Sequence, residues 1–287
     1  MKNIKRIIKF LIEFLPVNRV GNWVYFRAYF YYSQRRWPDR ERRLVNDLWF
    51  RILTGPECKD AARQFTTDKE FVKTYTAGKI GADYCIPTLA LLSTRESIES
   101  FVAPDKCVLK PSHNSQMVIF VEAGQSIMES DVESLVKSLS ENRYRSYREA
   151  NYQNLRPRII AEPVILVPTD IIDYKIFCRK GQPRIIQVDL DRHCDHKQAF
   201  FSTDWERLPI RYIAKAAESV AQPRELKEMI NAARALAADF DDVRVDLYAV
   251  NGQVLVGEMT HVPNRSFGKF SSFADEVRFS KIYFGSD

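Results

Sequence analysis

A chain of 287 residues that is 45% hydrophobic and 28% charged has the composition of a globular protein, which excludes a disordered or fibrous one. The formal net charge is +6, yet residues 1–50 alone hold eleven Lys/Arg against four Asp/Glu. The rest of the chain is therefore close to neutral, and no nucleic-acid partner is expected.

The first element is helical. Ile4, Ile7, Ile8, Leu11, Ile12, Phe14 and Leu15 recur at helical spacing, with Lys2, Lys5, Arg6, Lys9 and Glu13 on the other side and Pro16 as a stop. A short basic amphipathic helix of this kind has two readings. It can lie in the interface of an anionic membrane, or it can pack on the core with its lysines in water. Trp23 to Trp37, crowded with Tyr, Phe and Arg, suits an interface as well. Lys9 and Glu13 interrupt the apolar run and no small-residue cleavage site follows, so it does not read as a secretory signal. Nor does any stretch approach the roughly 20 apolar residues of a membrane-spanning helix. Five cysteines, Cys58, Cys85, Cys107, Cys178 and Cys194, are scattered and odd in number, which points to a reducing, cytoplasmic compartment.

Further along, residues 39–57 predict a helix ended by Gly55-Pro56, and Thr67-Asp68-Lys69 predicts an N-cap opening a helix to about Thr76. Tyr84 to Leu92 reads as strand-like, residues 95–102 as a short helix and Cys107 to Pro111 as a buried strand. Strands are expected at Val118–Glu122, Arg158–Val167, Asp173–Arg179 and Gln182–Asp191, the last two joined by a hairpin turn at Lys180-Gly181-Gln182. Helices are expected at Ser130–Ser140 and Arg224–Phe240. Asn251-Gly252 is the strongest turn signal in the chain and makes Val243–Val250 and Gln253–Met259 a hairpin. The layout is α+β, with residues 1–57 as a basic, aromatic-rich helical segment and residues 58–287 as a two-lobed body with a cleft.

Three constellations carry chemistry. In the last hairpin, Asp246 and Glu258 interrupt apolar strands and come near each other across the pair. Two close carboxylates repel unless a cation or proton lies between them, and Mg2+ is commonly held by one or two carboxylates plus substrate phosphates. The plainer reading leaves each carboxylate on an outer face. Lys110-Pro111-Ser112-His113-Asn114-Ser115 follows a buried strand, where an ammonium group and loop N–H groups can meet phosphates, or it is a surface turn. Glu162-Pro163-Val164-Ile165 and Asp173-Tyr174-Lys175-Ile176 place an acid and a lysine on neighbouring strands, framing a nucleotide or forming a salt bridge. His193-Cys194-Asp195-His196 is too tightly spaced for a usual zinc site.

Taken in order, these segments resemble the ATP-grasp superfamily, and within it the TupA-like family of teichuronopeptide and capsule biosynthesis. The resemblance covers roughly residues 60–270. It rests on Thr67-Asp68-Lys69, Lys79-Ile80-Gly81, Ile86-Pro87, Val108-Leu109-Lys110-Pro111, Ile160-Ala161-Glu162, Asp173-Tyr174-Lys175, Asp191-Arg192, Arg244-Val245-Asp246-Leu247-Tyr248 and Gly257-Glu258-Met259-Thr260. The Arg-Val-Asp strand also looks like that of D-alanine–D-alanine ligases. The resemblance implies an ATP-grasp fold, two α+β lobes with ATP held between antiparallel sheets. It implies that Lys110 and Lys175 hold ATP phosphates, with Ser112 to Ser115 as the loop over them. Glu162 would lie beside adenine and ribose, and backbone near Val164 would bond the adenine edge. Asp246 and Glu258 would bind Mg2+, and Arg244 would stabilise charge on the reacting carboxyl carbon. Two departures stand out: the phosphate loop lacks glycine, and Thr260 stands where many members have Asn, leaving Thr260 or Asn264 as a third metal ligand.

The function so implied is an ATP-dependent carboxylate–amine ligase working through an acyl phosphate. Its acceptor would be a uronic acid of a surface polysaccharide or precursor, its amine an amino acid, and its place cytoplasmic, peripheral at the inner face of the membrane. A glycosyltransferase, which would need a nucleotide sugar and turn over no ATP, and a non-catalytic membrane scaffold remain as rivals.

Overall fold

A computed structural model describes residues 12–115, 117–165, 172–190 and 195–285. Two sheets organise it. The smaller has four strands in the order β1-β4-β2-β3, where β1 is Ala90–Leu92, β2 Cys107–Pro111, β3 Ile119–Val121 and β4 Ile159–Pro163. The larger has seven: β5 (Asp173–Arg179), β6 (Gln182–Leu190), β7 (Lys197–Phe201), β8 (Arg207–Leu208), β9 (Lys215–Ala216), β10 (Asp242–Val250) and β11 (Gln253–Thr260). Its path is β11-β10-β5-β6-β7-β8, antiparallel throughout, with β9 pairing β7 in parallel.

The helices are α1 (Arg19–Gln34), α2 (Val45–Thr54), α3 (Ala61–Thr67), α4 (Phe71–Ile80), α5 (Arg95–Glu99), α6 (Glu129–Ser140), α7 (Arg143–Tyr147), α8 (Leu226–Ala237) and α9 (Phe273–Phe284). Side-chain alternation decides what each sheet covers. In the small sheet Cys107, Leu109, Ile159 and Ala161 face α5 and α6, burying Ile98, Val132 and Leu135. The alternate residues Val108, Lys110 and Glu162 face the cleft. In the large sheet Ile176, Cys178, Ile186, Val188, Val243 and Val245 bury against Met229, Ala233, Leu236 and Ala237 of α8. The opposite face is divided along its length. At one end Phe177, Ile185 and Phe200 pack under Phe26, Phe30, Trp49 and Phe279, so α1, α2 and α9 share one core with this sheet. At the other end the same face turns polar, with Asp173, Lys175, Gln187, Asp189, Arg244 and Asp246. The cleft opens where that helical cover stops.

Several expected elements differ in extent. The helix expected over 39–57 begins at Val45, because residues 35–44 are pinned outside it: the Asp47 carboxylate accepts from Arg36 Nη1 (2.8 Å) and the Asp39 N–H (2.7 Å). Of Tyr84–Leu92 only Ala90–Leu92 pairs in a ladder. The N-cap expected at Thr67-Asp68-Lys69 lies one turn early: Asp68 closes α3 and accepts the Glu70 N–H at 2.9 Å, while α4 starts after Glu70 without a side-chain cap and runs to Ile80, where Gly81 stops it. β7, β8, β9 and α9 were not foreseen. The helix expected over residues 1–15 falls on residues 1–11, outside the described residues, as do the Asp191-Arg192 and His193-Cys194 segments. Among the described residues Cys58, Cys85, Cys107 and Cys178 are free, as their scatter implied.

Candidate active site between the two sheets

The two sheets enclose a cavity of about 1130 Å³. Its polar floor comes from β10 and β11. Asn251 (φ 52°) and Gly252 (φ 81°) form the turn, in the left-handed region that a two-residue hairpin needs. A regular ladder from that turn pairs Val250 with Gln253 and Leu247 with Val256, and would then set Asp246 against Gly257. The register instead slips there, Gly257 is the extra residue, and Asp246 stands opposite Glu258. This bulge is what turns Glu258 onto the face of Asp246, since a one-residue slip exchanges the two faces of a strand. Glycine is required at the bulge because a Cβ on Gly257 would lie 2.7 Å from Tyr248 Cε2.

Arg244, two residues before Asp246, shares its face. Its Nε and Nη2 donate to the two Asp246 carboxylate oxygens at 2.6 and 2.7 Å, and Nη2 also donates to Thr260 Oγ1 at 3.0 Å. Thr260 Oγ1 donates to Glu258 Oε1 at 3.1 Å. Burial pushes the Asp246 carboxyl up to about 6, against the pull of Arg244 and Lys175, so it is ionised at neutral pH. Burial acts on Glu258 in the same sense, but Arg244, Lys69 and Lys175 outweigh it and hold Glu258 down to about 2. Glu258 nonetheless leaves 46% of its side chain open to the cavity, where solvent screens that pull. Hard oxygen donors on two facing carboxylates, with a hydroxyl beside them, suit Mg2+, which takes its remaining ligands from phosphates and water. Asn264, the other candidate for a third ligand, donates to Tyr212 Oη at 3.0 Å and also lines the cavity. Among the described residues no group of three or more His, Cys, Asp or Glu that could hold a metal ion is gathered.

Lys175 is the direct partner of Asp246 in the β5–β10 ladder. Its ammonium bonds Asp173 at 2.9 Å and Asp189 at 2.8 Å, so its charge is held in a buried network below the cavity. Across the cleft Glu162 bridges Lys73 (2.7 Å) and Lys110. Burial alone would raise the Glu162 carboxyl, and the two ammonium groups overcome it and hold it below the usual range. Val164 lies on the cavity wall with Pro163 and Ile165, and donates its own N–H to the Lys106 carbonyl at 3.0 Å. Ser115 lines the cavity. Ser112 does not: it is fully buried, its carbonyl accepting from Lys69 and its N–H donating to Arg158.

Several residues on the cavity carried no functional signal in the sequence. Lys69, read there as part of a cap, faces the cavity, and burial lowers its pKa. Arg143, Tyr147, Tyr152, Arg265, Phe267 and Lys269 also line the cavity, and Arg143 Nη1 donates to Asn114 Oδ1 at 3.4 Å. They come from α7, the turn after it and the loop after β11, which no local pattern brings together.

The sequence profile of the TupA-like ATPgrasp family matches residues 50–277, which takes in both sheets and every residue of this floor. The chain belongs to the TupA-like ATPgrasp family. Its two-sheet α+β body is therefore an ATP-grasp fold, and α1 precedes the matched region. Among solved structures, a D-alanine–D-alanine ligase from Helicobacter pylori overlaps with 14% identity, covering 76% of this chain and 61% of that one, at a TM-score of 0.40. The Bacillus anthracis D-alanine–D-alanine ligase complexed with ATP overlaps with 16% identity, 69% and 54% coverage and a TM-score of 0.37. The ATP-grasp ligase PsnB, complexed with minimal precursor, Mg and ADP, overlaps with 12% identity, 91% and 69% coverage and a TM-score of 0.41. The chain spans less than two thirds of the two D-alanine–D-alanine ligases. Among curated protein sequences none matches it.

Proposed function

We propose that this TupA-like ATP-grasp chain is an ATP-dependent ligase that joins a carboxylate to an amine through an acyl phosphate. The observation that carries this is the bulged hairpin, which sets Asp246 against Glu258 beside Arg244 on the floor of a cavity whose opposite wall holds Lys110 and Glu162. Ile86, Val108, Phe120, Val164 and Tyr248 give that cavity an apolar end suited to an adenine ring. In this reading Lys110, Ser115 and Lys69 face the phosphates, and Ser112 shapes the loop from behind. Lys175 lends positive charge from below the floor. Glu162 fixes Lys110 and meets the ribose, and Val164 packs on the base. Asp246 and Glu258 would hold Mg2+, which supplies charge neutralisation as the phosphoryl group moves. Arg244 stabilises the oxyanion formed when the amine attacks. Activation is needed because a free carboxylate is a poor electrophile. Enclosure between the sheets keeps water from the acyl phosphate.

For the substrates, the reading favours a uronic acid of a surface polysaccharide or its precursor as acceptor and an amino acid as amine. The catalytic region is taken as residues 58–287, braced by the basic segment of residues 1–57. A cytoplasmic place at the inner face of the membrane is supported by Phe14, Val17, Val20 and Trp23, exposed at 71%, 44%, 72% and 57% close to the basic N-terminus. No helix among the described residues is long and apolar enough to cross a membrane. The test is ATP turnover by the full chain against a panel of uronic acids and amino acids, with products identified by mass. Release of ADP that requires both a carboxylate and an amine, with a matching amide product, supports the reading. Turnover indifferent to both, or dependent on a sugar nucleotide, overturns it.

A further inference from the structure

Part of the cavity wall has an unusual charge arrangement, beginning beside Asn114, to which Arg143 donates at 3.4 Å. The Tyr147 ring receives two guanidinium groups, Arg143 and Arg265, each 4.7 Å from its centroid. Arg143 Nε bonds the buried Glu149 carboxylate at 2.8 Å, and Glu149 also feels the charge of Arg265. Lys269 stands exposed at the rim. The wall thus carries three cations, of which Arg143 and Arg265 share the Glu149 carboxylate and Lys269 lies 6.0 Å from the Tyr32 ring. Arg265 is delivered by a strained backbone: Asn264, Arg265 and Ser266 have φ of 49°, 55° and 63°, three successive non-glycine residues in the left-handed region. Such strain persists only where the surroundings over-determine it, and it collects at ligand sites. The determinant lies in α1. Gln34 Nε2 donates to the Ser266 carbonyl (3.3 Å) and the Gly268 carbonyl (2.9 Å), and Arg265 Nη1 donates to Tyr25 Oη at 3.4 Å. A helix that precedes the matched family region thereby holds part of the cavity wall.

We propose that Arg143, Arg265 and Lys269 form a subsite for a second anionic group of the acceptor, a carboxylate or phosphate beyond the carboxyl that reacts, and that Gln34 is its positioning residue. The proposal rests on the ligase reading for the identity of the acceptor. Arg244 is taken up by Asp246 and, in the ligase reading, by the carboxyl that reacts, so a second anionic group needs other cations. Two guanidinium groups gathered at one ring can present further N–H donors to the oxygens of such a group, Arg143 keeping its Nε on Glu149. The test is calorimetric titration of the full chain, without nucleotide, by glucuronate, glucuronate 1-phosphate and digalacturonate. At least one of the two probes with a second anionic group should bind about tenfold or more tighter than glucuronate, and the one that wins identifies that group. Arg265→Gln and Lys269→Gln should each cut that advantage to within about threefold. Gln34→Leu should do the same while leaving glucuronate and ADP affinity unchanged, which a general loss of structure would not. Equal binding of all three probes, or an advantage that survives Arg265→Gln and Lys269→Gln, overturns the subsite. A separate ADP titration on the parent reports on the ligase reading: failure to bind ADP sinks that reading and leaves the preference for a second anionic group legible.

Discussion

Replacing Arg244 by Lys keeps the charge and removes the fork. The native guanidinium makes two bonds of 2.6 and 2.7 Å to Asp246 and one of 3.0 Å to Thr260. A single ammonium on a shorter reach keeps at best one of them. Losing two charge-assisted bonds, each worth about 1.5–3 kcal/mol, should lower stability by roughly 2–4 kcal/mol after the lysine finds a partial substitute. Charge on the acceptor oxygen peaks when the amine attacks, so turnover should fall by about 10²–10³ through loss of one oxyanion donor. Nucleotide affinity should stay within about threefold of the parent, since Lys110, Lys69 and the apolar end are untouched. Thermal unfolding, ADP titration and amide formation would be measured on one preparation. A collapse of ADP affinity in step with turnover would show that Arg244 serves the nucleotide or the fold, and would refute the role given to it.

Asp246→Asn should abolish ATP turnover while far-UV circular dichroism stays native; normal turnover would remove the metal role from this carboxylate. Because burial sets the Asp246 carboxyl of the metal-free chain near 6, a proton competes with Mg2+ there, and Mg2+ affinity should fall as pH drops below about 6; Mg2+ affinity that is flat between pH 5 and 8 would contradict this. Gly257→Ala places a methyl 2.7 Å from Tyr248 and should cost about 1–3 kcal/mol, with turnover falling further than stability as Glu258 leaves Asp246. Trp23→Glu with Val20→Glu should reduce sedimentation with anionic vesicles and leave ATP turnover intact; unchanged vesicle binding would argue against this face as the membrane contact.

The parts of the fold legible in the sequence were those with a local cause. Asn251-Gly252 announced its hairpin, and Asp68 the turn that precedes α4. The strand at Cys107–Pro111 was legible as well, while the alternation that sets Lys110 off the core is seen in the structure. That Asp246 and Glu258 would meet was also legible, yet the reason was not. A simple two-residue hairpin count sets Asp246 opposite Gly257, and only the bulge, where Tyr248 lies close over Gly257, turns Glu258 to the same side. Ser112 and Lys175 illustrate the converse. Their spacing matches phosphate ligands, while tertiary packing buries Ser112 and ties Lys175 to Asp173 and Asp189. The Arg143–Tyr147–Arg265 wall was hidden because its parts are more than a hundred residues apart and Arg265 depends on a contact from α1. α9, with no sharp apolar stripe, becomes a helix by packing Phe279 and Tyr283 on Trp49 and Phe177.

The central claim is that ATP activates a carboxylate by phosphorylating it. The most direct test supplies the chain with ATP, Mg2+, an amine and uronic acids labelled with 18O in the carboxylate, and analyses the released phosphate by mass. Transfer of phosphoryl to the carboxylate, followed by attack of the amine at carbon, must leave one labelled oxygen in phosphate for each amide formed, with ADP as the nucleotide product. Amide formation with unlabelled phosphate, or with the label carried on AMP, would contradict the account.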